Sequence, residues 1–435
     1  MNTPIVDFVT AYTDKNFARF HMPGHKGAGE LESRDITEIF GADSLYEADG
    51  IIQQSEKNAS KLFGSRATLY SCEGSSLSIK ASVYLCVTHA QNNRILASRN
   101  VHKAFVSACA LVGADVNFLE SKKENLLSFS IDLKALDKAL TDTDYAAVYI
   151  TTPDYLGNLE NVKQIADICH EHDTLLIVDN AHGAYFTFFD SHPIAHGADI
   201  VCDSAHKTLP VLTGGAYLHI ANENLVENAK SAMALFGSTS PSYLILQSLD
   251  SANKYISESA KQEYLQLAKT LEKEKANLRM QGHSIVSNEP IKFTIDCAQY
   301  GYSGVEIASI LRENNIEVEY ADCYYITLMF TPKNTEKEIQ TLVEVLKRIP
   351  KKQEIQKTPD KQTDAKRVVS IRKAYFSKSE NVSIEYASGR ICAKDVCSCP
   401  PAVPIVLPGE VINDTHVLQL KKYGFKTINV IRKDS

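Results

Sequence analysis

The sequence predicts an α/β protein built on a mostly parallel sheet with helices on both faces. Three observations support this. Between residues 60 and 220, short β-branched or aromatic runs alternate with amphipathic helical stretches, the pattern of strand–helix–strand units. Polar or turn-forming residues follow the runs, as happens where strands end at the rim of such a sheet. The chain has 435 residues, 44% of them hydrophobic, which is enough for more than one core, since a single core rarely grows past roughly 250–300 residues.

In chain order, the expected strands are ATLYS (67–71), RILAS (94–98), DVNFL (115–119), AAVYI (146–150), TLLIV (174–178) and DIVC (199–202). Helices are expected between them, for example over 75–90 and 161–171. A long helical region rich in Ala, Glu, Lys and Leu covers 222–281. A smaller mixed segment follows over 284–349, with KFTIDC and YITLMF as strands and VEIASILRENN as a helix. PKKQEIQKTPDKQTDAKR (350–367) is nearly all polar and reads as an exposed linker. A last piece starts near Val368, runs to the end and contains the Pro-rich turn CPPAVPIVLPGE (399–410). These boundaries divide the chain into an N-terminal segment (1–20), a major domain (21–283), a small α/β domain (284–349), a linker (350–367) and a C-terminal domain (368–435).

The net charge of −7 sets aside nucleic acid and anionic membranes as partners. The N-terminus carries Asp7 and Asp14 without a continuous apolar run, and no stretch approaches the roughly 20 apolar residues of a spanning helix. Ten cysteines are scattered through apparent core segments. Cys392, Cys397 and Cys399 cluster, but without paired CxxC arms, so buried reduced thiols in a cytoplasmic protein are expected and no metal site.

Four places can carry chemistry. Asp179 ends the apolar run TLLIV and is followed by Asn180 and His182, so a carboxylate stands at a strand's carboxyl end. It could meet a metal, a ribose hydroxyl or a protonated ring nitrogen, or simply form a turn. Ser204, His206 and Lys207 follow DIVC in apolar surroundings, where desolvation disfavours an ammonium and makes an imine-forming lysine. In SCEGSSLSIKAS (71–82), Gly74 permits a tight turn, and the helix starting near Ser75 and Ser76 offers N–H groups, a dipole and hydroxyls to an anion. The same Ser-Ser could be a plain helix cap. His102 lies just past RILAS, where its flat ring could stack on an aromatic cofactor or serve only as a loop residue. Together and in this order the four supply what pyridoxal phosphate needs: a phosphate cradle, a stacking ring, a carboxylate for the pyridine nitrogen and an imine-forming lysine.

RFHMPGHKG (19–27), SAHKTLP (204–210), GRICA and PPAVPIVLPGE stand in the order of a known family's motifs. From about residue 17 to about 420 the chain resembles the ornithine/lysine/arginine decarboxylases, in a short form without their N-terminal wing. The resemblance implies pyridoxal-phosphate fold type I, the aspartate-aminotransferase-like architecture, with a mostly parallel seven-stranded sheet and a C-terminal α+β domain. It also implies roles. Lys207 would be the Schiff-base lysine and later the proton donor to Cα, a part His102 could share. Asp179 would pair with the pyridine nitrogen, and His102 would stack on the ring. Ser75 and Ser76 would hold the phosphate with Ser204 and His206, and His182 would lie beside the cofactor. GSTSPSY (237–243) would reach a neighbouring subunit, implying a homodimer or higher homo-oligomer. The glycines of RFHMPGHKGAG follow no strand and lack P-loop spacing, and the resemblance makes this loop a cover of the active site.

The implied reaction is decarboxylation of arginine, lysine or ornithine to the amine and CO₂. Transamination, elimination, or cofactor binding without turnover remain alternatives. The departures from the family pattern fall at Glu73, Cys399 to Ala402, and Asp395, towards the substrate end. The acid meeting the substrate's distal cation would be Asp395, Glu410 or Glu73.

Overall fold

Buried β-branched segments drive the central architecture. The computed structural model describes every residue except 120, 122–124, 359–364, 399 and 434–435, so part of the expected linker, 359–364, and the departure at Cys399 lie outside the described residues. Helices α1 (Pro4–Asp14) and α2 (Ile51–Phe63) precede β1 (Ala67–Ser71) and α3 (Ser75–Ala90). Then come β2 (Arg94–Ala97), α4 (Lys103–Val112), β3 (Asp115–Phe118), α5 (Leu133–Asp142), β4 (Ala147–Thr151) and α6 (Val162–Glu171). β5 (Leu175–Asp179), β6 (Ile200–Asp203), the short α7 (Ala205–Thr208) and β7 (Ala216–Ile220) complete this part.

The seven strands form one sheet in the order β1-β7-β6-β5-β4-β2-β3. β5 and β6 are parallel, as are β2 and β3, whereas β7 runs antiparallel to both β1 and β6. Six of the strands match sequence runs to within a residue at either end. The seventh, AYLHI, was not anticipated as a strand: it follows the Gly-Gly turn and carries His219. All its side chains are buried, since a strand covered on both faces need not alternate.

The chain divides into two compact units. The first comprises 1–92, 144–150 and 161–264, and the second 93–143, 151–160 and 265–435. In the first unit α3 packs against β7 and α8 (Glu223–Phe236). The region expected as one helical stretch is broken into α8, α9 (Tyr243–Tyr255), a π-helical turn (Ile256–Ala260) and α10 (Lys261–Met280), with Gly237 to Ser242 as a non-helical segment. Pro241 and the N-capping Ser242, whose hydroxyl accepts from Ile245 N–H at 3.4 Å, account for the break before α9.

In the second unit a four-stranded antiparallel sheet is built from β8 (Ser284–Ile285), β9 (Lys292–Asp296), β10 (Tyr320–Ala321) and β11 (Tyr325–Met329), in the order β10-β11-β9-β8. Its helices α11 (Gly304–Glu313) and α12 (Glu336–Arg348) each begin with a capping box, Ser303 with Glu306 and Thr335 with Glu338. The described start of the polar segment is not free of structure. Lys352 N–H and Ile355 N–H donate to Tyr300 O and Ala298 O, and Lys357 pairs with Asp296.

The C-terminal part holds α13 (Ile371–Phe376), α14 (Asp414–Lys422) and the antiparallel pair β12 (Ser379–Ser383) and β13 (Thr427–Ile431). It grips α4 at both ends. Ala402 O accepts from Lys103 N–H at 2.9 Å, and Arg372 donates to the last-turn carbonyls of Ala110 and Leu111 at 3.0 and 2.7 Å. These are the carbonyls a helix otherwise leaves unsatisfied.

His416 caps the C-terminal helix from within the core. Its Nδ1 accepts from Asn413 N–H at 3.2 Å, and the ring is fully buried. Burial, aided by the charge of Arg99, pushes its pKa down to about 4. A depressed imidazole binds protons more readily once unfolded. Its contribution is therefore present above about pH 6.5 and lost as the pH falls towards 4, up to roughly 3 kcal/mol. Thermal midpoints measured across this window should fall for the parent protein and fall less for His416→Gln. Parallel curves would show that other groups govern the acid limb.

Candidate active site

The site residues of the first unit come from the ends of neighbouring strands. Lys207 lies in α7, a single turn entered directly from β6. The turn is pinned on two sides. His206 N–H and Nδ1–H both donate to Gly215 O, at 3.1 and 3.0 Å, and Tyr264 OH donates to Thr208 O. Lys207 N–H donates to Ser204 O at 3.0 Å. Its half-buried side chain places Nζ 2.9 Å from His182 Nε2. An ammonium can only donate, so there Nε2 accepts; a neutral amine and a protonated ring would reverse the roles. The two groups can therefore exchange a proton directly.

Asp179 closes β5 and is buried. Oδ2 accepts from Tyr149 OH at 3.0 Å, and Oδ1 accepts from Ala181 N–H at 3.2 Å. Burial raises its pKa, against the opposing pull of Lys207's charge and these two donors. The carboxylate is thus short of positive charge, the condition that a protonated ring nitrogen would relieve.

The turn into α3, the candidate anion cradle, is shaped by two glycines. Gly74, at φ +71°, turns the chain into α3, and its N–H donates to Gly214 O at 2.7 Å. Gly214 stands at φ +100°, and a Cβ there would lie 2.7 Å from Cys72 O, so the approach of the two loops requires it. No side chain caps α3, so its first-turn N–H groups can receive an anion. Ser75 and Ser76 open the helix. Ser204, the residue before α7, turns its hydroxyl to Ser75 Oγ at 2.7 Å rather than capping its own helix.

The structure thus gathers Ser75, Ser76, Asp179, His182, Ser204, His206 and Lys207 within the first unit. His102 belongs to the second. There it caps α4, its Nδ1 accepting from Ala104 N–H at 3.1 Å, which leaves the neutral ring's proton on Nε2.

All three acids considered for a distal cation have partners in the structure. Glu73 Oε1 accepts from Ser238 N–H at 2.7 Å, so it holds the GSTSPSY segment. Glu410 is buried against Arg99 at 3.3 Å. Asp395 is half-buried and accepts from Tyr375 OH.

Sequence reasoning missed Tyr149, which no signal in an apolar strand marks out. It also missed Asp203, although that residue ends an apolar strand just as Asp179 does. Asp203, His192 and His219 are buried, with potential ligand atoms within 4.8 Å of one another. The three residues are already hydrogen-bonded together: His192 and His219 Nε2 stand 3.0 and 3.2 Å from Asp203 Oδ2. Cys72, Cys86, Cys109, Cys169, Cys202, Cys297 and Cys392 are free thiols, and among the described residues no helix is long and apolar enough to cross a membrane.

Comparison with known proteins agrees with this architecture. The sequence model "Orn/Lys/Arg decarboxylase, major domain" matches residues 3–286, and its C-terminal-domain counterpart matches 351–425. The chain is 31% identical to a Bacillus subtilis protein named arginine decarboxylase, over 98% of this chain and 94% of that one. It is 30% identical to an arginine decarboxylase of Halalkalibacterium halodurans, over 99% and 98% of the two chains. In fold it is similar to the lysine decarboxylase of Francisella novicida, with a TM-score of 0.80 and 19% identity over 99% of this chain and 81% of that one. The constitutive lysine decarboxylase of E. coli gives 0.81 at 17% identity, over 99% and 82%. The chain belongs to the Orn/Lys/Arg decarboxylase family of amino-acid decarboxylases, with the fold type I architecture.

Proposed function

We propose that the protein decarboxylates a basic L-amino acid, with arginine as the first substrate to test, using pyridoxal phosphate attached at Lys207. The observation that carries this is the arrangement of Lys207 Nζ 2.9 Å from His182 Nε2 in the unit that also holds the buried, charge-deficient Asp179. Two curated relatives named arginine decarboxylase, at about 30% identity over nearly the whole chain, support the choice of substrate.

The donor set fits the cofactor. Lys207 offers the amine, Asp179 the carboxylate for a pyridinium N–H, and the α3 N-terminus with Ser75, Ser76 and Ser204 the phosphate donors, next to His206. When bound there, pyridoxal phosphate supplies an electron sink for the pair left at Cα as CO₂ departs. Asp179, kept ionised by that pairing, holds the ring protonated, and Tyr149 OH fixes the carboxylate's orientation. Lys207 Nζ returns a proton to Cα, and His182 Nε2 exchanges the proton with Nζ. His102, with its Nε2–H tautomer set by Ala104 N–H, takes the stacking role the resemblance implies. A homodimer in the cytoplasm is the assembly and location we propose.

The reading is tested by incubating the cofactor-loaded protein with carboxyl-labelled arginine, lysine and ornithine. Labelled CO₂ and the matching amine are expected, fastest from arginine. A keto acid instead of an amine would replace decarboxylation by transamination.

A further inference from the structure

Asp203 ends β6, immediately before Ser204 and α7, and is fully buried. Three donors converge on it. His192 Nε2 and His219 Nε2 stand 3.0 and 3.2 Å from Oδ2, and Asn180 Nδ2 donates to Oδ1 at 2.7 Å. The tautomers follow. His192 Nδ1 accepts from Ile194 N–H at 3.4 Å, so its proton is on Nε2, facing the carboxylate. His219 Nδ1 meets Thr68 Oγ1 at 2.8 Å, and burial lowers this ring's pKa, so a neutral His219 accepts from Thr68 and donates to Asp203. Burial works against ionisation of Asp203, yet the two imidazoles outweigh it and hold the carboxyl well below the usual range.

The third donor gives this cluster a bearing on the chemistry. Asn180 sits between Asp179 and the Ala181–His182 step, and Gly183 N–H closes the turn on Asn180 O at 2.7 Å. A Cβ on Gly183 would lie 2.0 Å from Asn180 Oδ1, so only glycine leaves room there for the side chain that Asp203 holds through Nδ2. One carboxylate thus fastens two strand ends. Through Asn180 it holds the turn with Asp179 and His182, and through its own backbone it continues into Ser204 and Lys207. A carboxylate buried among donors costs stability that an apolar residue would not, and such costs gather at functional sites.

We propose that Asp203 is a positioning residue for the reaction, acting through Asn180 to hold the Asp179–His182 turn against the Lys207 helix. It rests on the functional reading above. The same three residues could be taken for a metal centre. Their Nε2 and carboxylate atoms are already engaged with one another, and Asn180 occupies the other oxygen, which points to a hydrogen-bonded hub.

The test is a double-mutant cycle on the cofactor-loaded enzyme with Asp203→Asn and Asn180→Ala. Turnover number, KM, the visible band of the bound cofactor and the thermal midpoint are read for each protein. Each single change should lower the turnover number by on the order of 10–100-fold and shift the band, with KM little changed. If Asp203 acts through Asn180, the double variant is no slower than the slower single and has the same band. Its midpoint still falls below that of Asn180→Ala, because only the Asp203 change also strands His192 and His219. Multiplicative losses of turnover, or an unshifted band in both singles, would overturn the proposal. So would one equivalent of a tightly bound metal by elemental analysis. Should Asp203→Asn not fold, Asn180→Ala alone decides, since it leaves both imidazole bonds in place: full activity and an unchanged band sink the idea. Failure of the decarboxylase reading looks different. The parent protein would then be inactive on all three amino acids, while the band would still report on the Asp203–Asn180 contact.

Discussion

Lys207→Ala is expected to abolish turnover, by about 10³-fold or more, without unfolding the protein. On the proposed function the substitution removes both the attachment point and the proton donor to Cα, and proton transfer alone contributes on the order of 10²–10⁴-fold. The fold should survive because α7 is held by other groups: His206 on Gly215 O, Tyr264 on Thr208 O and Ser204 on Ser75. The thermal midpoint should therefore move little. Two measurements check this. Borohydride reduction of the parent protein followed by peptide mapping should place the cofactor's mass on the peptide containing Lys207. The Ala variant should show no such adduct and no CO₂ release. An adduct on a different lysine would remove Lys207 from the reaction. His182→Ala serves as the graded companion. It leaves the attachment point intact and takes away the group 2.9 Å from Nζ, so it should slow turnover while the adduct still forms.

Breaking the Arg99–Glu410 pair is expected to cost about 3–5 kcal/mol, the largest stability effect foreseen for a single polar substitution here. The pair is 3.3 Å apart with side chains only 8% and 7% exposed. Arg99 also donates to Pro404 O and Ile405 O at 3.0 and 3.4 Å, and Glu410 Oε2 accepts from Leu407 N–H at 2.7 Å. Glu410→Ala would leave a guanidinium buried without its anion. Burial already raises the pKa of Glu410 against the pull of Arg99, so the partner is needed to keep the carboxylate charged. Urea unfolding should show the loss directly. The double variant Arg99→Met/Glu410→Met should recover most of it, because both charges leave together and their volume is kept. If Glu410→Ala were as stable as the parent but raised KM selectively, Glu410 would instead be a substrate acid. The pair also explains why the PPAVPIVLPGE motif matters: it fastens the C-terminal domain to the loop between β2 and α4, three residues before His102.

Much of this was legible in the residues themselves. Apolar runs of strand length ending in polar groups marked six of the seven central strands, because a parallel sheet buried on both faces requires β-branched sequence and exposes function only at its carboxyl ends. Asp179, His182, Ser204, His206 and Lys207 were visible for the same reason, and Ser75 and Ser76 because a Gly-Ser-Ser turn into a helix has a clear chemical use. β7 was missed since AYLHI follows a Gly-Gly turn and pairs antiparallel on both sides, outside the alternating pattern. Two of the three candidate acids, Glu73 and Glu410, were given structural work that no local sequence rule could assign, because their partners lie 165 and 311 residues away. The cluster around Asp203 joins residues 68, 180, 192, 203 and 219, which meet only when adjacent strands pair. Sequence by itself determined which groups can do chemistry and at which strand ends they stand. Tertiary structure alone decided which carboxylates are neutralised by neighbours and which remain for chemistry, because a carboxylate's charge and availability are set by burial and by donors brought from distant parts of the chain.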